Sequence, residues 1–240
     1  MEEADSKESP ISEVLMTMPE TNQTLAHSQR YTEALGWAAE LHSQQRRKAK
    51  DVPYISHLIA VSALVWEDGG DEPLAIAALL HDAIEDCGVS QQQIAQRFGE
   101  RVGQIVADCT DTSDAVAAGG EKEPWLLRKT RYINHLPMAH PDSLLVSAAD
   151  KAHNARDMVL DARRDPGMWS RFNAGLDGTA WYLHSLHEIF RQRLPDSRSV
   201  VLLGESVREI LASKAYLALV LMTADTDPVA YAEAYPLRQR

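Results

Sequence analysis

The amino-acid sequence predicts an all-α protein. Leu and Ala dominate the apolar positions, only three Phe are present, and long stretches lack both Gly and Pro, a pattern that favours helices over sheets. The 240 residues suffice for one large domain with a full hydrophobic core, but are too few for several catalytic modules.

The charge of the chain limits its partners. Lys and Arg together number 24 against 35 Asp and Glu, a net charge of -11, which argues against a broad electrostatic surface for DNA or RNA. A small anionic substrate would need a local basic cluster or a metal ion to overcome the general negative field.

The sequence also bears on the compartment. Cys87 and Cys109 lack Cys-x-x-Cys spacing, and residues 1–6 lack the basic start and apolar core of a secretory signal, which favours a reduced cytoplasmic protein. The most apolar late stretch, at 217–222, is far shorter than the ~20 residues of a spanning helix. We therefore expect no membrane segment.

The chain divides into a tail, a main domain and an extension. Residues 1–24 are rich in Glu, Ser, Thr and Pro with little apolar periodicity, which predicts a flexible tail. Residues 25–195 are expected to form a single helical domain, and residues 196–240 a C-terminal helical extension. A small, polar stretch at 112–120 predicts a mobile loop within the domain.

Apolar periodicity, caps and breakers predict the helices in order. The segment 72–80 is apolar nearly all round, so its helix should be buried. Ser90 and Gln93 make a capping box for a helix that ends at Gly99. By the same signals, further helices are predicted at 31–45, 57–66, 102–106, 124–137, 143–160 and 169–193, with one or two more at 200–235.

The most informative motif lies at the end of the apolar helix. His81 and Asp82 are followed by Glu85 and Asp86, and helical spacing brings these side chains to a common side. An unpaired buried carboxylate would cost several kcal/mol, so a cation or a matched partner is implied.

One helical turn cannot surround a metal ion, and two distant residues are suited to complete a site. His57 begins the second predicted helix. Asp150 directly follows the apolar run 144–149 within the helix predicted at 143–160. Two imidazoles and two carboxylates suit Mn²⁺, Fe²⁺ or Zn²⁺ with positions left open for water.

Three segments carry a resemblance to a known family. The sequences PYISH at 53–57, AALLHDAIED at 77–86 and ADKAHNARD at 149–157 resemble the hydrolase domain of the RelA/SpoT alarmone enzymes. They are most similar to the free-standing small alarmone hydrolases, including the metazoan SpoT-like one. The resemblance covers roughly residues 31–160.

The resemblance implies an all-α HD fold and a set of roles. His57, His81, Asp82 and Asp150 would bind Mn²⁺ or another divalent metal, and Glu85 and Asp86 would organise the attacking water, with either carboxylate as the base. The enzymes of this family hydrolyse the ester that joins a pyrophosphate to the ribose 3′ oxygen of guanosine tetra- or pentaphosphate. Some accept the ribose 2′-phosphate of NADPH.

Substrate contacts follow less directly. Arg47 and Lys48 align with the family's basic pair, and Asn154 matches a nucleotide contact, while Arg128, Lys129 and Arg131 form a second basic group that could face the same cleft. For Arg47 and Lys48, a solvated helix end is an equally favoured alternative. For Arg128, Lys129 and Arg131, a surface position without substrate contact is favoured. In the family, an Arg and a Tyr of the substrate pocket follow a Trp, but this chain has no clean counterpart of them after Trp169. Trp125 stands at a position where the metazoan enzyme has a Lys.

Three readings of function follow. The first is a metal-dependent phosphohydrolase that acts on the 3′-pyrophosphate of (p)ppGpp or of an adenosine analogue, with a small-molecule nucleotide as its partner. The second is an NADPH 2′-phosphatase or an HD 5′-nucleotidase. The third is a module that binds a nucleotide without turnover, and the base, the metal and the oligomeric state stay open.

Overall fold

A computed structural model describes residues 27–48, 50–110, 123–223 and 227–239. Within these ranges the chain forms helices and turns without a strand, and an isolated antiparallel bridge joins Arg46 to Pro53. The all-α prediction is confirmed. The predicted tail at 1–24 and the predicted loop at 112–120 lie outside the described residues.

The described residues form thirteen α-helices. Two short 3₁₀ helices, Leu136–Met138 and Pro166–Arg171, follow the seventh and eighth of them. In chain order the α-helices are α1 Gln29–Leu41, α2 Ile55–Glu67, α3 Glu72–Leu80, α4 Ala83–Cys87, α5 Gln91–Phe98, α6 Glu100–Cys109, α7 Trp125–His135, α8 Pro141–Arg164, α9 Gly175–Arg193, α10 Arg198–Ala212, α11 Lys214–Leu221, α12 Pro228–Glu233 and α13 Tyr235–Arg238.

Helix α3 is the centre of the core. Every residue from Leu74 to Leu80 is buried, and α1, α2, α6 and α8 pack around them. The Asp71 carboxylate caps its N-terminus by accepting from the Leu74 N–H at 3.1 Å. Because α3 is apolar on all sides, its C-terminal end is buried. His81, which follows this end directly, therefore lies inside the protein.

Helix α8 brings a second part of the chain to the same place. Its 24 residues pack along α2, α6 and α10, and Val146, Ala148, Ala149 and Ala152 are buried. These small side chains allow close approach of the neighbouring helices. Asp150 therefore lies within the protein, beside the start of α2.

Helix boundaries differ from the prediction near the C-terminus. The predicted helix at 169–193 is interrupted, because Asp165 and Pro166 start a 3₁₀ turn and Gly175, the first residue of α9, adopts a left-handed φ of 59°. Four helices follow instead of one or two, since Ser213 and Asp227 cap the starts of new helices. Such caps start a new helix within a stretch for which apolar periodicity alone predicts one continuous helix.

The C-terminal helices pack on the preceding ones. Helix α10 buries Val200, Leu203 and Val207 against α8 and α9. The boundary predicted at residue 195 stays a prediction. Among the described helices, none combines the length and the apolar character that crossing a bilayer requires.

Asp68 joins α2 to the start of α10. Its carboxylate accepts from the Ser197 hydroxyl at 3.1 Å and from the backbone N–H groups of Arg198 and Ser199 at 2.5 and 3.2 Å. These are N–H groups that the helix itself cannot satisfy. The carboxylate therefore caps α10 from a distant part of the chain.

We predict that Asp68→Ala lowers the free energy of unfolding by about 1–2 kcal/mol, as expected for the loss of a helix cap. Urea denaturation followed by circular dichroism measures this change. Asp51→Ala, which removes a carboxylate that is 89% exposed, should change it by less than about 0.5 kcal/mol. Equal stabilities of the two variants would show that the cap contributes nothing.

Candidate metal centre and active site

Three predicted metal ligands lie together. His57, His81 and Asp150 are buried, and one ligand atom from each lies within 4.8 Å of the other two. Nε2 of His57 is 3.2 Å from Oδ1 of Asp150, and Nε2 of His81 is 3.6 Å from the same oxygen. Helices α2, α3 and α8 thus bring residues from distant segments to one candidate divalent-metal site.

Asp82 borders this group. Its Oδ2 is 3.0 Å from Nε2 of His81 and 3.9 Å from Nε2 of His57, and it accepts a hydrogen bond from the Tyr54 hydroxyl at 2.6 Å. Asp82 is not part of the compact three-residue group. Its position beside both imidazoles is consistent with a fourth ligand, a role that stays a prediction.

The two imidazoles fit a cation. Nε2 of His57 and Nε2 of His81 are buried and make no hydrogen bond within the described part of the chain. Nδ1 of His81 lies 2.8 Å from the Ala78 carbonyl oxygen, which can only accept, so this nitrogen carries the proton. When His81 is neutral, its Nε2 lone pair is directed at carboxylate oxygens, an arrangement that a bound cation would stabilise.

The pKa values of the cluster reflect this crowding. Burial lowers the pKa of His57. Burial alone would also lower the pKa of His81, but the carboxylates of Asp82 and Asp150 raise it above its ordinary value. A proton on His81 can thus offset part of the negative charge, and a metal ion would have to displace it.

His153 supports His57. The two Nδ1 atoms are 2.9 Å apart, so one of them donates and the other accepts. Burial lowers the pKa of His153 to about 4, which leaves it neutral and able to accept. With His57 as the donor, its proton lies on Nδ1 and its Nε2 faces the site, the arrangement of a metal-ligating histidine held by a neighbour.

The predicted catalytic pair lies at the rim. Glu85 and Asp86 are exposed on α4, and Oδ2 of Asp86 accepts from Nε2 of Gln45 at 2.7 Å. Partial desolvation at the rim raises the pKa of Asp86, and the Asp82 and Glu85 carboxylates add to this shift. The position at the rim and the raised pKa of Asp86 both favour this carboxylate as a proton acceptor.

Gln45 and His42, which hold Asp86, were not predicted from the sequence. Oε1 of Gln45 lies 2.5 Å from Nδ1 of His42, and the His42 ring stacks on Tyr54 with centroids 5.3 Å apart. His42 is 2% exposed. The sequence carries no local signal for this pair, because the burial of His42 and the contact of Gln45 with Asp86 arise only in the folded chain.

Two adjoining clefts open beside the metal centre. The larger has a volume of about 290 Å³ and the smaller about 250 Å³, and they share Lys48, Asn154, Met158 and Phe172. The larger is also lined by Trp125, Lys129, Lys151, Asn173, Ala174, Thr179, Tyr182 and Leu183, and the smaller by Arg47, Lys50, Tyr54, Asp157, Asp161 and Met168.

Two predicted substrate contacts hold each other. Arg47 Nη2 donates to Oδ1 of Asn154 at 2.8 Å and to Oδ2 of Asp157 at 3.1 Å. Nδ2 of Asn154 donates in turn to Oδ1 of Asp150 at 2.5 Å. Lys50 bridges Asp157 and Asp161 at 2.7 and 2.8 Å. The loop before α2 is thereby fixed to α8 next to a metal ligand.

The second predicted basic group divides on α7. Lys129 lines the larger cleft, with Nζ 4.8 Å from the centroid of the Tyr182 ring. Arg128 is buried, and Arg131 forms an exposed pair with Glu123 at 2.7 Å. Neither arginine lines these two clefts, so their roles in substrate binding stay predictions.

We predict that His153→Ala weakens metal binding by about 10- to 100-fold, because His57 loses the partner that fixes its ring and its protonated nitrogen. Titration with a competing chelator measures this affinity. Arg156→Ala, which changes an exposed residue of the same helix, should bind metal as the wild type does. An unchanged affinity in His153→Ala would contradict the supporting role.

Known proteins are similar to this chain in sequence and in fold. MESH1, a guanosine-3′,5′-bis(diphosphate) 3′-pyrophosphohydrolase, is 37% identical in Xenopus tropicalis over 58% of this chain and 73% of that protein. The Homo sapiens MESH1 is 33% identical over 67% of this chain and 93% of its own.

A solved structure of a metazoan SpoT orthologue that hydrolyses ppGpp superposes with a TM-score of 0.59 at 25% identity. This similarity covers 78% of the present chain and 98% of the other. The family model for the HD domain matches residues 34–168, more than half of the chain and all three residues of the metal cluster. The chain belongs to the HD-domain family.

Proposed function

We propose that the protein is a metal-dependent hydrolase that cleaves the ester between a pyrophosphate group and the ribose 3′ oxygen of (p)ppGpp. The observation that carries this proposal is the buried cluster of His57, His81 and Asp150 at the edge of a cleft lined by lysines. The similarity to MESH1, a guanosine-3′,5′-bis(diphosphate) 3′-pyrophosphohydrolase, supports the same reaction.

The proposed reaction is hydrolysis by in-line attack. A bound divalent cation would activate water and polarise a phosphoryl oxygen. The water oxygen forms a bond to phosphorus, the bond from phosphorus to the ribose 3′ oxygen breaks, and that ribose oxygen takes up a proton. Glu85 or Asp86, at the rim of the site, accepts the proton that the water loses.

We infer Mn²⁺ as the cofactor. Two imidazole nitrogens together with carboxylate oxygens suit several divalent ions, and a larger share of oxygen ligands favours Mn²⁺ over softer metals. Asp82 beside the cluster would add such an oxygen. We also expect the protein to act in the cytoplasm, consistent with Cys87 and Cys109 being free thiols.

The clefts suit a nucleotide. Ammonium groups of Lys48 and Lys129 lie over the rings of Phe172 and Tyr182, at 5.0 and 4.8 Å, so the same walls offer positive charge and aromatic surface. Trp125 adds a further apolar face. Phosphate groups and a planar base are complementary to this combination.

We predict that the Mn²⁺-loaded protein releases pyrophosphate from ppGpp with the highest kcat/KM in a panel that includes adenosine 3′-pyrophosphates, NADPH and nucleoside 5′-monophosphates. Removal of the metal with a chelator should abolish turnover, and added Mn²⁺ should restore it. A preference for NADPH or 5′-monophosphates would replace the proposed substrate, and tight nucleotide binding without turnover would identify a sensor.

We predict that Asp82→Ala and Glu85→Ala each lower kcat by at least about 100-fold, the scale of general-base catalysis. Asp82→Ala should also lose metal, because Asp82 borders both imidazoles. Glu85→Ala should keep it, because Glu85 is exposed on α4. Elemental analysis of the purified variants measures metal content, and equal metal loss in both would overturn this division of roles.

A further inference from the structure

Lys151 follows a candidate metal ligand directly. Side chains of neighbouring residues on a helix point about 100° apart, so Lys151 and Asp150 would normally diverge. Instead, Nζ of Lys151 contacts Oδ2 of Asp150. The Lys151 side chain is only 19% exposed, so this contact is held within the protein.

The two oxygens of Asp150 have different neighbours. Oδ1 faces Nε2 of His57 and of His81 and accepts from Asn154. Oδ2 is occupied by the ammonium group of Lys151. Asp150 therefore presents one oxygen to the candidate metal site and fixes a positive charge with the other.

Lys151 also lines the larger cleft, together with Lys48 and Lys129. Its Nζ lies 5.9 Å from the centroid of the Tyr132 ring. The ammonium group has three donors, and Asp150 does not need all of them. Lys151 thus connects a candidate metal ligand with the space in which a substrate would lie.

We propose that Lys151 is a catalytic residue that donates a hydrogen bond to a non-bridging oxygen of the phosphoryl group under attack. This rests on the proposed hydrolase function. Negative charge on the transferring group is redistributed as the bond to the ribose oxygen breaks, and an ammonium already held by Asp150 needs no rearrangement to stabilise it. Lys151 keeps its proton throughout.

The other lysines of the cleft are placed differently. Lys48 and Lys129 lie over aromatic rings on the walls, whereas Lys151 is fixed to a residue of the metal cluster. Lys129 should therefore bind substrate and transition state about equally, and Lys151 should act mainly on the transition state. Measurements of kcat and KM on variants of Lys129 and Lys151 can therefore distinguish the two roles.

The test compares Lys151→Met, Lys129→Met and Lys214→Met, the last on the exposed face of α11, in the Mn²⁺-loaded full chain with ppGpp. Lys151→Met should lower kcat by about 100-fold, the usual loss for one such donor, with KM within about 3-fold and one metal ion per chain. Lys129→Met should raise KM with little change in kcat. Lys214→Met should match the wild type.

Three results would overturn the proposal: metal loss in Lys151→Met that parallels the loss of activity, a higher KM with unchanged kcat, or wild-type kinetics. Lys151→Arg, which keeps the positive charge, should retain at least about a tenth of the wild-type kcat. It also serves as the test variant should Lys151→Met fail to fold. An equal loss in both variants would exclude a role for the charge.

A binding measurement distinguishes this proposal from the proposed function. Orthovanadate adopts a five-coordinate geometry that resembles in-line attack, and inorganic phosphate resembles the ground state. Lys151→Met should bind vanadate at least about 10-fold more weakly, with phosphate affinity within about 3-fold. Absence of ppGpp turnover in the wild type refutes the proposed function alone, whereas equal vanadate affinity in both proteins refutes the role of Lys151.

Discussion

The structure depends on one electrostatic constraint. The folded chain brings two imidazole Nε2 atoms to within 4 Å of buried or half-buried carboxylate oxygens, in a region that α2, α3 and α8 close to water. Carboxylates without a positive partner are costly there. A proton on His81 can supply the positive charge that the carboxylates need. A divalent cation would supply it and would also accept the lone pairs of both imidazoles. The packing of the three helices is therefore coupled to the charge that the cluster holds.

The surrounding contacts restrict each group to one orientation. The Ala78 carbonyl orients His81, and His153 orients His57. Asn154 and Lys151 hold the two oxygens of Asp150. Such contacts determine which nitrogen or oxygen faces the ion, and in metal sites they tune affinity as strongly as some ligands do. These contacts would reduce the reorganisation that binding of an ion at the candidate site requires.

The sequence predicted those parts of this arrangement that have local signals. The capping box of Ser90 and Gln93 and the burial of α3 are both confirmed, because caps and apolar runs act within a few residues. The break before Gly175 was missed, since a left-handed glycine is invisible to periodicity. Gln45 and Lys151 were missed for another reason: long side chains find partners across the fold, and only tertiary placement shows where they end.

Charge is distributed unevenly across the two clefts. Arg47 and Lys50 are matched by Asp157 and Asp161, at 2.7 to 3.1 Å, so a large part of their charge is used to fasten the loop before α2 to α8. The larger cleft is lined by three lysines, of which Lys151 also contacts the Asp150 carboxylate. In a chain with a net charge of -11, lysines gathered at one cleft favour the approach of anions to the place where the candidate metal ligands converge. This distribution supports the proposed small phosphate ester over a long polyanion, which would meet the acidic remainder of the chain.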